Sequence, residues 1–158
     1  MVFPAKYAPV EGGSWGSVVE YSADGYVSDV DAASTDYDEL LRSIKDSIAE
    51  TNPERVKQGF EKITLVGWAS PPHYDQSAHA LHWARDLIFG DDMSQAHTLN
   101  YSVRVFGREG VFMFNFVAGM DQLKEIQSAV PDVLTMVKFD SGKTYKDYES
   151  GDKLAAYG

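Results

Sequence analysis

The sequence predicts an α+β domain: a mainly antiparallel sheet of about five strands with helices packed on it. Three observations carry that expectation. Strand-like segments cluster between residues 63 and 118 at spacings that hairpins can bridge, and segments with helical periodicity flank the cluster near 37–48 and 123–137. The third is the segment Val111 to Ala118, apolar on both alternating sides, which implies a central strand covered twice and hence a three-layer αβα sandwich. With 158 residues, 44% of them hydrophobic, the chain has material for one core. The expected layout is an irregular lead-in at 1–13, a single domain at 14–139 and an irregular tail at 140–158.

Pro4, Pro9 and the pair Gly12-Gly13 mark the lead-in. Ser14 to Tyr21 alternates as a first strand, Ala23-Asp24-Gly25 is a turn signal, and Tyr26 to Ser28 suits a brief extended piece. Tyr37, Leu40, Leu41, Ile44 and Ile48 fall on one helical face. Asp36 followed by Glu39 has the spacing of a capping box, so the helix starts near 36. Asn52-Pro53 is expected to interrupt it, since Pro53 brings no amide hydrogen, leaving a short separate turn at Pro53 to Gly59. Ile63 to Trp68 reads as a strand ended by Pro71-Pro72, with His73, Tyr74 and Asp75 in a loop and Ala80 to Ile88 returning.

Thr98 to Phe106 is the clearest strand, placing Leu99, Tyr101, Val103 and Val105 on one side and Thr98, Asn100, Ser102 and Arg104 on the other. A hairpin turn at Gly107-Arg108-Glu109-Gly110 leads into Val111 to Ala118. Leu123, Ile126, Val130, Val133 and Val137 recur at helical spacing, with a kink or break expected at Pro131. By element order the arrangement is similar to the sandwich of the PsbP and Mog1 proteins, an analogy of fold alone.

The charge balance excludes whole classes of partner. Twenty-four acidic against 14 basic side chains give a net charge of -10, which repels nucleic-acid backbones and anionic lipid surfaces at long range. The absence of cysteine removes disulfides, thiolate nucleophiles and thiolate metal sites. Gly110 to Met120, the longest apolar run, is about half of the roughly 20 residues that a membrane-crossing helix needs.

Four strings carry a family likeness: DGYVSDVDA at 24–32, VGWASPPHYD at 66–75, HTLNYSVRVFGREGV at 97–111 and VAGMDQL at 117–123. Together they resemble the uncharacterised bacterial family known as domain of unknown function 2167, described as membrane-anchored proteins, from about Ser14 to the terminal AAYG. The resemblance implies a trimmed soluble portion of an extracytoplasmic, periplasmic protein whose membrane segment follows a sequence similar to AAYG. It implies no activity, substrate or catalytic residue.

Within the chain itself, His73, Asp75, His79 and His82 fall within ten residues and form the one metal-like set, a divalent ion being the alternative to no cofactor at all. Ordinary loop and surface histidines are preferred, because a strand through 79–82 sends His79 and His82 to opposite faces. His97 is a more distant candidate to join them. Asp24, Asp29, Asp31, Asp36 and Asp38 lack the EF-hand order and read as a solvated acidic stretch. Asn100, Ser102 and Arg104 with Asn115 on the next strand offer a groove lining in which the guanidinium takes an acidic group, although polar sheet residues satisfied by a covering element account for them equally well. Trp15, Trp68 and Trp83 read as core, or as an interaction surface if they gather. No Gly-x-Ser-x-Gly elbow or phosphate loop is present.

The expected function is therefore a non-catalytic extracytoplasmic binding or scaffold domain. It presents its polar sheet face or the loop at 70–79 (His73, Tyr74, Asp75) to a protein partner near the membrane. Nucleic acid is not an expected partner, and the membrane is met only through a segment outside this sequence. The alternative is a metal-dependent hydrolase using His73, Asp75 and His79 with an open position for water.

Overall fold

Connections too short for a crossover force neighbouring strands to run antiparallel, and the chain contains two such connections, at 76–79 and 107–110. The computed structural model describes the chain apart from residues 7, 9–12, 31, 33, 157 and 158. Its strands are β1 (Gly16–Ser22), β2 (Ile63–Asp75), β3 (Ala80–Phe89), β4 (Thr98–Phe106) and β5 (Val111–Gly119). They form one sheet in the order β1-β5-β4-β3-β2, antiparallel throughout. Helix α1 (Tyr37–Lys57) joins the two edge strands, and α2 (Leu123–Thr135) follows β5 through a 3-10 turn at Met120–Gln122. Among the described residues, no helix is long and apolar enough to cross a membrane. The expected α+β class and five-stranded antiparallel sheet are what the structure shows.

The core lies between one sheet face and α2. Ile126, Val130 and Val133 of α2 are buried against Leu99, Val103 and Phe116 of the sheet. Trp15 closes one side, its ring 5.4 Å from that of Phe116 and its indole N–H donating to Glu125 Oε1 at 3.3 Å. Ala80 and Ala84, both wholly buried, leave room on β3 for these larger neighbours.

The opposite face is covered unevenly. Helix α1 lies over β2 and β3 and has no fully buried side chain. Asp36 caps its start by accepting from the amides of Asp38 and Glu39 at 3.1 and 3.0 Å. Near its end the Asn52 amide both donates to the Ile63 carbonyl and accepts from the Ile63 N–H, each at 2.8 Å. Away from α1, Val18 and Val117 are 41% and 53% exposed. The expectation that 111–118 is covered on both faces is corrected here: β5 is interior to the sheet, but α2 covers only one of its sides.

Three proline expectations also change. Helix α1 runs unbroken through Pro53, and α2 through Pro131. Each proline is exposed, as are Ala49 and Gln127, whose carbonyls lose their partners, so water is available to them. Strand β2 continues through Pro71-Pro72 to Asp75, placing His73, Tyr74 and Asp75 on a strand rather than in a loop. It is an edge strand, and the register shift between Ser70 and His73 spans the two prolines, so no ladder hydrogen bond is required of them.

Both ends pack on the sheet. Val2 pairs with Ser17 beside β1, and Tyr26 makes a parallel bridge to Leu154. Gly25 permits the second contact, since its φ is +125° and a Cβ there would meet the Lys153 carbonyl at 2.6 Å. Arg108 grips Asp152 through two hydrogen bonds of 2.8 and 2.9 Å, and Tyr145 is buried with Val27, Phe106 and Val111. Pro9, Gly12 and the last two residues of AAYG lie outside the described residues.

Asn52→Ala removes both partners of Ile63 where β2 begins. It is expected to cost about 1–3 kcal/mol, the usual penalty for leaving partly buried backbone groups unpaired. Urea unfolding measures this as a lower midpoint with an unchanged slope.

Candidate functional site

Paired residues of neighbouring strands point to the same face, so the register of β3, β4, β5 and β1 lines up Trp83, Ser102, Asn115 and Val18 on the face away from α2. Arg85 lies opposite Asn100 to one side of this row, and Arg104 opposite Leu81 to the other. Between this face and α1 is a groove of about 440 Å³, whose apolar wall includes Tyr37, Leu40, Ile44 and Trp68. Trp68 also ties the wall to the sheet, its indole N–H donating to the Tyr37 carbonyl at 3.3 Å.

The polar side chains of the floor are arranged by one another. Arg85 donates from Nε and Nη2 to Asn100 Oδ1 at 3.2 and 2.7 Å. Asn100 Nδ2 donates to the Phe116 carbonyl at 3.4 Å, and Ser102 Oγ donates to Asn115 Oδ1 at 2.9 Å. The guanidinium of Arg104 sits over the Trp83 ring, 5.1 Å from its centroid. Burial, and then the charge of Arg104, lower the Arg85 pKa from its ordinary value. Among the described residues neither arginine forms an ion pair with a carboxylate, and the groove lining contains no Asp, Glu or His.

The sequence-based set Asn100, Ser102, Arg104 and Asn115 is thus brought together on one face. Arg85, Trp83 and Trp68 join it without having been singled out as groove residues. The signal for the first two was present, because Leu81, Trp83 and Arg85 alternate with Ala80, His82 and Ala84. Trp15, by contrast, belongs to the core.

The histidine cluster divides. His73 and His82 are cross-strand partners with rings stacked at 4.9 Å and 9° between planes. His79 occupies the turn before β3 with a φ of +48°, its ring stacked on Tyr145 at 4.5 Å. Its Nδ1 lies 3.4 Å from the Tyr74 hydroxyl, while its Nε2 is buried and unpartnered among the described residues. Tyr74 is held protonated by burial first and by its hydrogen bond to Asp29 second. Asp75 Oδ1 accepts from the Ser77 N–H, the Ser77 hydroxyl and the Ala78 N–H at 2.9, 2.7 and 3.2 Å. The hydroxyl bond foremost keeps its carboxyl below the usual range.

His97 Nδ1 lies 2.7 Å from Asp86 Oδ1, a hydrogen-bond contact separate from that set. Among the described residues, no group of three or more His, Asp or Glu is arranged to hold a metal ion. The acidic stretch does local work: Asp24 accepts from the Ser22 hydroxyl, Asp36 caps α1 and Asp38 stands in its first turn, while Asp31 lies outside the described residues.

Fold and site together define an α+β domain, with one antiparallel sheet between two helices, that carries a hydrogen-bond-donating groove on its open face. The chain belongs to the family described as Protein of unknown function (DUF2167), whose model matches residues 1–158. No curated protein and no solved structure matches it.

His82 sets a pH dependence. Burial, and then the charge of His73, push its imidazole down to about 4, against roughly 6.5 in an unfolded chain. Below pH 6.5 the unfolded chain takes up a proton that folded His82 refuses until about pH 4, so stability falls as the pH falls through that window. The full loss is about 3 kcal/mol. Thermal unfolding between pH 6.5 and 4.5 is expected to show a shallower decline for His82→Gln than for the parent; equal slopes would refute the assignment.

Proposed function

We propose that this chain is a non-catalytic binding domain acting outside the cytoplasmic membrane, in a periplasmic protein anchored to that membrane. Its binding surface is the groove between α1 and the polar face of β3, β4 and β5. One observation carries the reading: Arg85 and Arg104 flank Trp83 without an ion-paired carboxylate among the described residues, in a chain with 24 acidic side chains. Arg104 is exposed, but Arg85 is half-buried and meets the Asn100 amide rather than a carboxylate. Proteins rarely leave such a cation uncompensated, and a site awaiting its ligand accounts for the exception. A lining without His, Asp or Glu has no ordinary carrier for acid–base chemistry, which favours binding over catalysis. The extracytoplasmic placement is supported by the likeness of 24–32, 66–75, 97–111 and 117–123 to membrane-anchored proteins.

The hydrolase alternative requires His73, Asp75 and His79 on one ion, and His79 is turned onto Tyr145. Zinc, manganese, nickel or calcium added singly after EDTA treatment is accordingly expected to leave Tm unmoved. A saturable rise abolished by His73→Ala would transfer the function to that cluster.

Two measurements on the full-length protein in its host test the binding reading. A photo-reactive amino acid at Leu40, on the groove wall, is expected to cross-link a partner, whereas the same group at Glu50 on the outer side of α1 is not. Protease added to spheroplasts should degrade the domain. Equal cross-linking from both positions removes the groove from the proposal, and protection from protease removes the location.

A further inference from the structure

The hydrogen-bonding groups of the groove floor are not balanced. Asn100 Oδ1 is already taken by Arg85 and Asn115 Oδ1 by Ser102, so their acceptor oxygens are engaged with the protein itself. Beyond these bonds the floor is left mainly with donors: the remaining N–H groups of two guanidiniums and the Asn115 amide nitrogen. The two cations stand on either side of the Trp83–Ser102–Asn115 row, with no acidic residue in the lining. The opposite wall is apolar and aromatic, from Tyr37, Leu40, Ile44 and Trp68.

Resting on the proposed groove function, we infer that the ligand is a short acidic peptide, laid extended along the groove with carboxylates on Arg85 and Arg104 and an apolar side chain against the α1 wall. A volume of about 440 Å³ is in the range of sites that hold small ligands rather than folded domains. Along the strands the Arg85 and Arg104 rows are four residues, about 14 Å, apart. The Arg104 guanidinium, however, leans back over the Trp83 ring, one row from Arg85. There, carboxylates on alternate residues of an extended peptide, about 7 Å apart, can meet both. Guanidinium suits this partner because its planar donors match a carboxylate edge to edge.

Global charge selects for shortness. A net -10 repels a long polyanion over its whole length, whereas two carboxylates in the groove meet the two local cations first, and exposed acidic side chains farther off than about 8 Å are largely screened at physiological salt. Nucleic acid is disfavoured by the same argument.

The test uses the whole chain labelled with ¹⁵N, following backbone and arginine side-chain signals during titration with acetyl-Glu-Leu-Glu-amide, acetyl-Gln-Leu-Gln-amide and inorganic phosphate. The acidic peptide is expected to shift Arg85 and Arg104 saturably, with a Kd at least ten-fold lower than that of the neutral peptide, and ten-fold lower than its own Kd for Arg104→Gln. Arg104 is exposed, so that variant folds; Arg85→Lys, which keeps the charge and loses the fork, should weaken binding to a lesser degree. Phosphate binding as tightly as the acidic peptide overturns the peptide assignment in favour of a general anion site. Equal binding of both peptides in the groove, unaffected by Arg104→Gln, leaves the groove function standing and overturns the acidic ligand. Groove signals that no probe moves overturn the acidic-peptide ligand, and the groove function then stands or falls with the cross-linking from Leu40.

Discussion

Because β4 is flanked by β3 on one side and β5 on the other, each of its residues is committed to one face of the sheet and held there by hydrogen bonds on both edges. Leu99, Tyr101, Val103 and Val105 are thereby assigned to the core under α2, Ser102 and Arg104 to the groove under α1, and Asn100 to the same open face, where it holds Arg85. A slip of one residue would drive a guanidinium into the core and four apolar side chains out of it. The core and the candidate site are consequently two readings of one register. What stabilises the sheet also aligns the floor of the groove.

The two faces obey different physics. Under α2, burial is nearly complete and shape complementarity between alanines and aromatic rings governs the packing. Under α1, specific hydrogen bonds take over: the cap at Asp36, the Tyr37 carbonyl on Trp68, and the reciprocal bonds between Asn52 and Ile63. These hold the helix by its two ends and leave its middle free of deep contacts, so that a groove rather than a second core separates it from the sheet.

Much of this was legible in the alternation and periodicity of the chain. Thr98–Phe106 and the Asp36 cap emerged at their observed positions, since the local pattern there agrees with the tertiary environment. The prolines misled because proline's effect depends on facts that a local window does not hold. Pro53 and Pro131 sit on wet sides of their helices, and Pro71-Pro72 on the free edge of a sheet whose strand order is set by distant segments. The site was legible in half: the period of β4 and β5 marks their polar residues, while on β3 Arg85 shares its face with the apolar Leu81 and Trp83, so that face does not read as polar. Proximity in sequence brought the four histidine-cluster residues under one heading, yet a turn at His79 sends its ring across the sheet from the His73–His82 stack.

The docking of Tyr145 on His79 has a consequence for the order in which the molecule is made. The turn at His79 holds a side-chain residue in left-handed geometry, and the ring that covers it lies 66 positions later in the chain. During synthesis β2 and β3 emerge well before that cover exists. The hairpin is therefore covered from the far end of the chain, by a segment that Arg108 and Asp152 hold down. Sequence order and packing order diverge at this corner of the sheet: one of the earlier hairpins to be made receives its cover from one of the last segments.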